Sequence, residues 1–464
     1  MAADPEHTAG LDANPPLAAE LAEAPAGRLD LLMLGALAPL AGLGAGLIGA
    51  TFRLGLDEAD RLRDRLIGWS HGESLPGFAL IVIACAAGAA LAAWMVRRFA
   101  PPASGSGIPQ VEAVLSGDIP PAPPHLLVVK FLGGILAIGS GLALGREGPS
   151  IQMGAVIAHQ TGQWFGRGWG DRRVLLAAGA GAGLATAFNA PIAGAVFVLE
   201  ELLKRFETRV AIAALGASAA AIWISRKLLG NAPDFAVGQL THATFWMGPL
   251  FILLGIAGGL GGIVYNRTLL GTLDAAGRLA HVPAEARAGV IGAVVGAIGW
   301  FAPTLVGGGD QITAGALAGI GAIAVIPFLI VLRLLMGSAS YAAGTPGGLF
   351  APLLVLGAEL GLWLGKLFAL ALPGFGIQPE GFAVVGMAAL FVGIVRAPVT
   401  GIVLVTEMTA NVTMLLPMIV ACFVAMLVPT VLGDSPIYDS LRARLSLHRE
   451  RAAMPGSQVD GSSR

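Results

Sequence analysis

Gly145-Arg146-Glu147-Gly148-Pro149-Ser150 stands between two apolar runs, 126–144 and 151–165, and its reading decides the fold. Charged residues flanked by such runs are costly and rarely idle. Gly148 and Pro149 together stop one helix and start another, because glycine frees the backbone and proline suits a first helical turn. The apolar segments are therefore interrupted helices. Arg146 can pair with carbonyls or a carboxylate. Glu147 sits beside amide N–H groups that can also hold an anion, so its carboxylate can compete with that anion and leave on protonation.

The rest of the chain has the same texture. Apolar runs cover about 31–52, 77–96, 126–144, 151–165, 174–199, 210–225, 245–265, 287–303, 315–336, 351–372, 381–395 and 398–432. A simple membrane span needs about 20 apolar residues, and several runs are shorter. Others are split, as 174–199 is by Asn189-Ala190-Pro191. Short, Gly/Pro-interrupted segments belong to transporters with discontinuous helices. Polar connectors are expected at 53–76, 97–125, 166–173, 202–209, 226–244 and 267–286.

Composition narrows the class. Of 464 residues 55% are hydrophobic and 12% charged, against about 25% charged in an ordinary soluble domain. Mean hydropathy is +0.77. A chain so poor in charge is solvated by lipid. The 67 glycines suit closely packed and broken membrane helices. A net charge of −1 gives no basic field for nucleic acid. Cys85 and Cys422 lie far apart in apolar runs and read as reduced packing residues. No zinc spacing occurs, and no metal or cofactor is expected. Residues 1–30 read as a disordered tail without a secretory signal. Residues 442–464 read as a basic tail, cytoplasmic by the positive-inside rule; 31–441 is the membrane domain.

A weak repeat divides that domain into halves, about 31–231 and 245–441. Ala190-Pro191-Ile192-Ala193-Gly194-Ala195-Val196-Phe197-Val198-Leu199-Glu200 aligns without gaps on Ala397-Pro398-Val399-Thr400-Gly401-Ile402-Val403-Leu404-Val405-Thr406-Glu407. A Gly-x-x-Gly turn precedes each copy, at 145–148 and 344–347.

Four further segments carry candidate chemistry. Gly105-Ser106-Gly107-Ile108-Pro109 is a turn leading into a helix N-terminus, whose free N–H groups and dipole suit an anion; Ser106 adds a hydroxyl. Gly347-Gly348-Leu349-Phe350-Ala351-Pro352 offers the Leu349 and Phe350 amides. Glu200-Glu201, at the end of an apolar run, places two acids on different sides of a helix. One is tied to the protein, and the other faces water and collects protons. Tyr438 supplies a phenol or serves as an interfacial anchor. Glu112, Lys130, Arg333, Glu359 and Glu407 read as structural pairs or caps, and His159 as packing.

Taken in order, these segments resemble the CLC family of chloride channels and chloride/proton antiporters. The likeness spans about residues 31–442 and includes Phe188-Asn189-Ala190-Pro191. It implies an all-α polytopic membrane protein of two inverted-repeat halves, whose interrupted helices end at a central anion site. It implies a homodimer in the lipid bilayer with one pore per subunit, and a transporter rather than an enzyme. Chloride would be bound by Ser106, Gly107, Ile108, Leu349, Phe350 and Tyr438. Glu147 would be the external gate and proton acceptor, and Glu201 the internal proton acceptor. Arg146, Gly148 and Glu200 would support them. An acid at Glu201 favours exchange over the alternative, a passive proton-gated channel of the same fold, and Ser106 favours chloride over nitrate. The chain resembles prokaryotic members, which lack cytoplasmic CBS domains and lie in the inner membrane, with both termini cytoplasmic here. A serine-protease reading with Ser106 as nucleophile lacks an activating base. A sodium-coupled organic solute carrier is the remaining alternative.

Overall fold

One helix break recurs at equivalent places and organises the fold. In the computed structural model, which describes residues 28–453, helix Trp169–Phe188 ends on Asn189 at φ 49° and Pro191–Phe197 follows. Helix Pro379–Val395 ends on Arg396 at φ 71° and Pro398–Thr409 follows. A left-handed residue stops each helix and a proline begins the next.

Numbered along the chain, the first half holds α1 (Arg28–Ser70), α2 (Ser74–Phe99), α3 (Ile108–Leu115), α4 (Leu126–Gly139) and α5 (Glu147–Trp164). It continues with α6 (Trp169–Phe188), α7 (Pro191–Phe197), a π-helical turn Val198–Leu202, and α8 (Thr208–Leu229). The second half holds α9 (Gly248–Arg278), α10 (Ala284–Phe301), α11 (Asp310–Leu317), α12 (Ile326–Ala342), α13 (Phe350–Ala371), α14 (Pro379–Val395), α15 (Pro398–Thr409) and α16 (Leu415–Val431). Helix α17 (Ile437–Ala453) follows. The packing repeats with the order. α5 lies on α6 as α13 lies on α14, and α1 on α8 as α9 on α16. Across the halves α2 packs on α10 and α7 on α15.

Two details fix how the halves are related. The first residues of α5 and α13 are in contact, yet the two helices scarcely pack along their lengths. Long helices that share only their beginnings run apart, so the halves are inverted. The second detail is a reciprocal clasp. Glu200 accepts from the amides of Val399 at 3.0 Å and Thr400 at 2.6 Å. Glu407 accepts from those of Ile192 at 3.2 Å and Ala193 at 2.8 Å. Each half caps the other's helix N-terminus with the acid at the same repeat position. This is the exchange of partners that a two-fold relation produces.

Buried cations repeat in the same way. Lys130 on α4 donates to the carbonyls of Ala103 and Gly105, at 3.0 and 2.7 Å, in the loop before α3. Arg333 on α12 donates to those of Leu305, Gly307 and Gly308, at 3.0 to 3.1 Å, in the loop before α11. Both side chains are buried. Each charge is thereby stabilised first by backbone dipoles, with Asp310 also acting on Arg333.

Helices long and apolar enough to cross a membrane lie within Leu29–Phe99 and at Thr208–Leu229, Phe245–Arg278, Ala284–Phe301 and Phe350–Ala371, with shorter apolar helices between them. Large apolar side chains cover the outside, Phe245, Phe301 and Phe328 among them. The protein is a membrane protein.

Some boundaries differ from the sequence reading. The expected connector 53–76 is mostly helix: α1 runs on to Ser70, its charges paired three residues apart as Arg61–Glu58 and Arg63–Asp60. The run 398–432 is two helices, α15 and α16. Glu112 and Glu359, expected as pairs or caps, are not hydrogen-bonded in that way. Both carboxylate oxygens of Glu112 and Oε2 of Glu359 lack a partner among the described residues. Most of the N-terminal segment, 1–27, and residues 454–464 lie outside the described residues, whereas the chain from 442 begins inside α17. Cys85 and Cys422 are buried and free, and His159 packs edge-on against Trp169.

Candidate functional site

The three glycine-rich loops are joined to one another by backbone hydrogen bonds. Gly105 donates to Thr345 at 3.0 Å, and Gly347 to Gly105 at 3.1 Å. Gly145 donates to Gly348 at 2.9 Å, and Gly348 donates back at 2.7 Å. The loop before α13 therefore touches both of the others. Side chains are excluded where it does so. A Cβ on Gly145 or Gly348 would collide with the Glu147 carboxylate, and one on Gly148 with Ser106.

Glu147 occupies this cradle. It is fully buried, and its Oε1 accepts from the Phe350 amide at 2.6 Å. Its Oε2 has no hydrogen-bond partner among the described residues. A carboxylate thus rests on the N-terminus of α13, where the dipole and the free amides favour negative charge. Only one of its two oxygens is held.

Arg146 turns away from Glu147. Its Nε donates to the Ala187 carbonyl at 3.0 Å, and its other nitrogens reach Asp310 at 3.3 Å and Asp234 at 3.4 Å. It ties the loop to α6 and to both halves. A pocket lined by Asp57, Asp60, Gly145, Arg146, Asp310 and Thr313 opens beside it.

Ser106, Gly107 and Ile108 start α3 and are buried. The Ser106 hydroxyl accepts from the Ile108 amide at 3.4 Å, and the Ser106 amide donates to the Tyr341 hydroxyl at 3.4 Å. Leu349 caps the start of α13, 1% exposed. The Phe350 ring is enclosed by Phe188, Phe197, Phe391 and Tyr438, with centroids 4.8 to 6.3 Å away. Through it Tyr438 on α17 joins the group. The Tyr438 hydroxyl is buried, has no hydrogen-bond partner among the described residues, and is within electrostatic reach of Glu147, Tyr341 and Glu201. A buried hydroxyl is expected to bond, and a small anion is a fitting acceptor for it.

Glu200 and Glu201 lie apart from the loops, on the π-turn, a form often found at functional positions. Their division of roles differs from expectation in one respect. Glu200 is tied to the protein, as the clasp, but Glu201 does not face water. It is 3% exposed, with Oε1 unpartnered among the described residues, because α3 packs against the π-turn.

The sequence reading missed Tyr341 and gave no partner for Lys130. Both act on the loop before α3 from far along the chain. The one available signal for Tyr341 was scarcity: the chain has three tyrosines, and Tyr265, Tyr341 and Tyr438 are all buried.

Comparison with known proteins meets this geometry directly. The model of the family described as voltage gated chloride channel matches residues 88–430. The chain belongs to that family. It is similar to the H(+)/Cl(-) exchange transporter ClcA of Cronobacter sakazakii, 37% identical over 444 residues, 92% of each chain. It is 36% identical to the exchanger of the same name from Vibrio parahaemolyticus, over 89% of each chain. Among solved structures, a slow cyanobacterial Cl-/H+ antiporter superposes with a TM-score of 0.87 at 34% identity, covering 90% of this chain and 99% of that one. A eukaryotic CLC transporter gives 0.75 at 24% identity, covering 89% and 74%; at that identity it bears on the CLC fold alone.

Proposed function

We propose that this CLC chain exchanges chloride for protons across the membrane. The observation that carries the reading is Glu147, a buried carboxylate held by one oxygen on the helix N-terminus where an anion would otherwise sit. Ionised, it takes the anion's place. Protonated, it loses its attraction for the helix dipole and gives the place up. One group then responds to both substrates. The exchange transporters and antiporters to which the chain is similar support the same reading over a passive channel.

The site assignments follow. Ser106, Gly107, Ile108, Leu349, Phe350 and Tyr438 bind chloride. Glu147 gates the outer side and carries the proton there, and Glu201 accepts it on the inner side. Arg146, Gly148 and Glu200 hold these groups in place. The protein works in the cell inner membrane as a homodimer with a pore in each subunit, its termini cytoplasmic on either side of the membrane domain 31–441. Ile192, Ile212, Leu215, Val399, Leu416 and Phe423, on the mutually packed helices α7, α8, α15 and α16, are all exposed in the single chain and support a partner subunit there. The purified protein in liposomes decides the matter. A chloride gradient alone should drive protons uphill, and chloride flux without proton movement would make the protein a channel.

A further inference from the structure

The chain leaves the π-turn at Lys204 in an uncommon way. The Arg205 amide donates to the Leu199 carbonyl and the Leu203 amide to the Val198 carbonyl, both at 3.0 Å. Such a helix end is closed by a left-handed residue. Here that residue is Lys204, at φ 53°. Glycine would adopt this conformation without steric cost, and lysine does not.

The lysine side chain has a specific partner. Its Nζ donates to Oδ1 of Asp439, in the first turn of α17 and next to Tyr438. Among the described residues it is the one side-chain hydrogen bond between the π-turn segment and α17. Both side chains are about half exposed, 49% and 42%. Behind them lie two buried acids, Glu201 and Glu112, 3% and 2% exposed. Glu201 feels Glu112, Lys204, Asp439 and Glu200, while Glu112 feels Lys204, Asp439 and Arg442. α3, which carries Glu112, packs on both the π-turn and α17.

We propose that the Lys204–Asp439 ion pair is a latch that joins the segment carrying Glu201 to the helix carrying Tyr438, and that the closed latch keeps proton and anion movements coupled. The inference rests on the exchange reading above. Glu201 belongs to the proton path and Tyr438 to the anion path. Two paths keep a fixed ratio only when a change at one biases the other. Tyr438 and Asp439 are neighbours on one helical turn, and Lys204 follows Glu201 by three residues, so the pair joins the two paths over a short, packed distance. A half-exposed ion pair is weak and screened by salt, which allows the latch to open within a transport cycle. Lys204 and Asp439 act as positioning residues for Glu201 and Tyr438.

The test uses full-length protein in liposomes, with chloride and proton fluxes recorded together. Lys204→Gly removes the cation and gives the helix end the residue its backbone favours, so the fold is retained. Chloride-driven proton uptake should fall roughly five-fold, the lower end of coupling factors between linked sites, with chloride flux close to the parent's. Asp439→Asn should act in the same direction. Lys204→Asp combined with Asp439→Lys should restore coupling, since aspartate tolerates the left-handed conformation. Unchanged coupling in both single variants overturns the latch. So do opposite shifts of the internal-pH profile in the two single variants, the signature of simple charge effects on Glu201. A parent protein that moves no protons with chloride sinks the exchange reading itself, a separate outcome.

Discussion

Three carboxylates among the described residues rest on the N-termini of other helices, and two of them do so differently from the third. In the clasp, Glu200 and Glu407 each accept two amide hydrogens at a half-buried crossing of α7 and α15. In the central cradle Glu147 is held through one oxygen, which accepts from Phe350 at 2.6 Å with the Glu147 and Ala351 amides also near the carboxylate, and its second oxygen is buried without a hydrogen-bond partner among the described residues. The local chemistry is the same, and the satisfaction is not. A carboxylate with both oxygens bonded is a fastener. A buried one with an oxygen left over is stabilised less, and departs readily once neutralised. Placement within the inverted halves thus turns one interaction into either a structural cap or, on the proposed reading, a gate.

The largest expected effect breaks the gate. Glu147→Gln or Glu147→Ala should abolish chloride-driven proton uptake in liposomes while chloride still passes, because the neutral group neither blocks the cradle nor carries a proton. Thermal unfolding in chloride should show the variant as stable as the parent or more so, since a buried carboxylate oxygen without a partner, at a cost of about 1–3 kcal/mol, has been removed while chloride takes the Phe350 amide that Oε1 gives up. Proton uptake that persists in Glu147→Ala removes the gate assignment.

Glu201→Gln should match that loss of proton flux with a different residual phenotype. Glu201 lies on the π-turn, away from the three loops, so chloride flux should stay measurable and calorimetric chloride affinity should stay near the parent's. Its neighbour is the internal control. Glu200→Gln should retain coupling, because its role is the bond to α15. Normal proton transport by Glu201→Gln means that the inner proton is accepted elsewhere.

The fastener is tested by stability. Glu200→Ala and Glu407→Ala should each destabilise by about 1 kcal/mol, the usual effect of removing a helix cap. The opposite sign at Glu147 is what sharpens the comparison. A double variant that loses less than the sum would show the two caps acting as one crossing. If Glu147→Ala destabilises as much as Glu407→Ala, the distinction between fastener and gate collapses.

These contrasts also mark where the sequence was legible. The three loops and the Ala-Pro repeat were readable because glycine and proline state backbone conformation locally. The clasp was not, although both of its acids stood in the repeat, because nothing local says that each would cap the other copy. Lys130 and Arg333 could be read as buried cations but not paired, since carbonyl partners leave no mark in the sequence. The exposure assigned to Glu201 was wrong for a related reason: α3, about 90 residues earlier, covers it. The extension of α1 to Ser70 was readable in principle, because Arg61–Glu58 and Arg63–Asp60 have helical spacing, but charge suggested a connector.

The smallest expected effect lies at the start of α3, where the cradle meets Ser106. The Ser106 hydroxyl accepts weakly from the Ile108 amide and its proton remains free to point at an anion, while its own amide is held by Tyr341. Ser106→Pro removes both the hydroxyl and the amide hydrogen, so the anion loses a donor and Tyr341 loses its partner. A net hydrogen bond is worth about 1 kcal/mol, which predicts a several-fold rise of nitrate over chloride rather than a reversal of substrate. Tyr341→Phe separates the two losses, because it removes the amide's partner and keeps the serine hydroxyl. If anion preference belongs to the hydroxyl, Tyr341→Phe should leave the nitrate-to-chloride permeability ratio near the parent's and weaken both anions slightly. Equal ratios in Ser106→Pro and the parent would instead place selectivity elsewhere in the cradle, with the Phe350 amide and Tyr438 as the remaining donors.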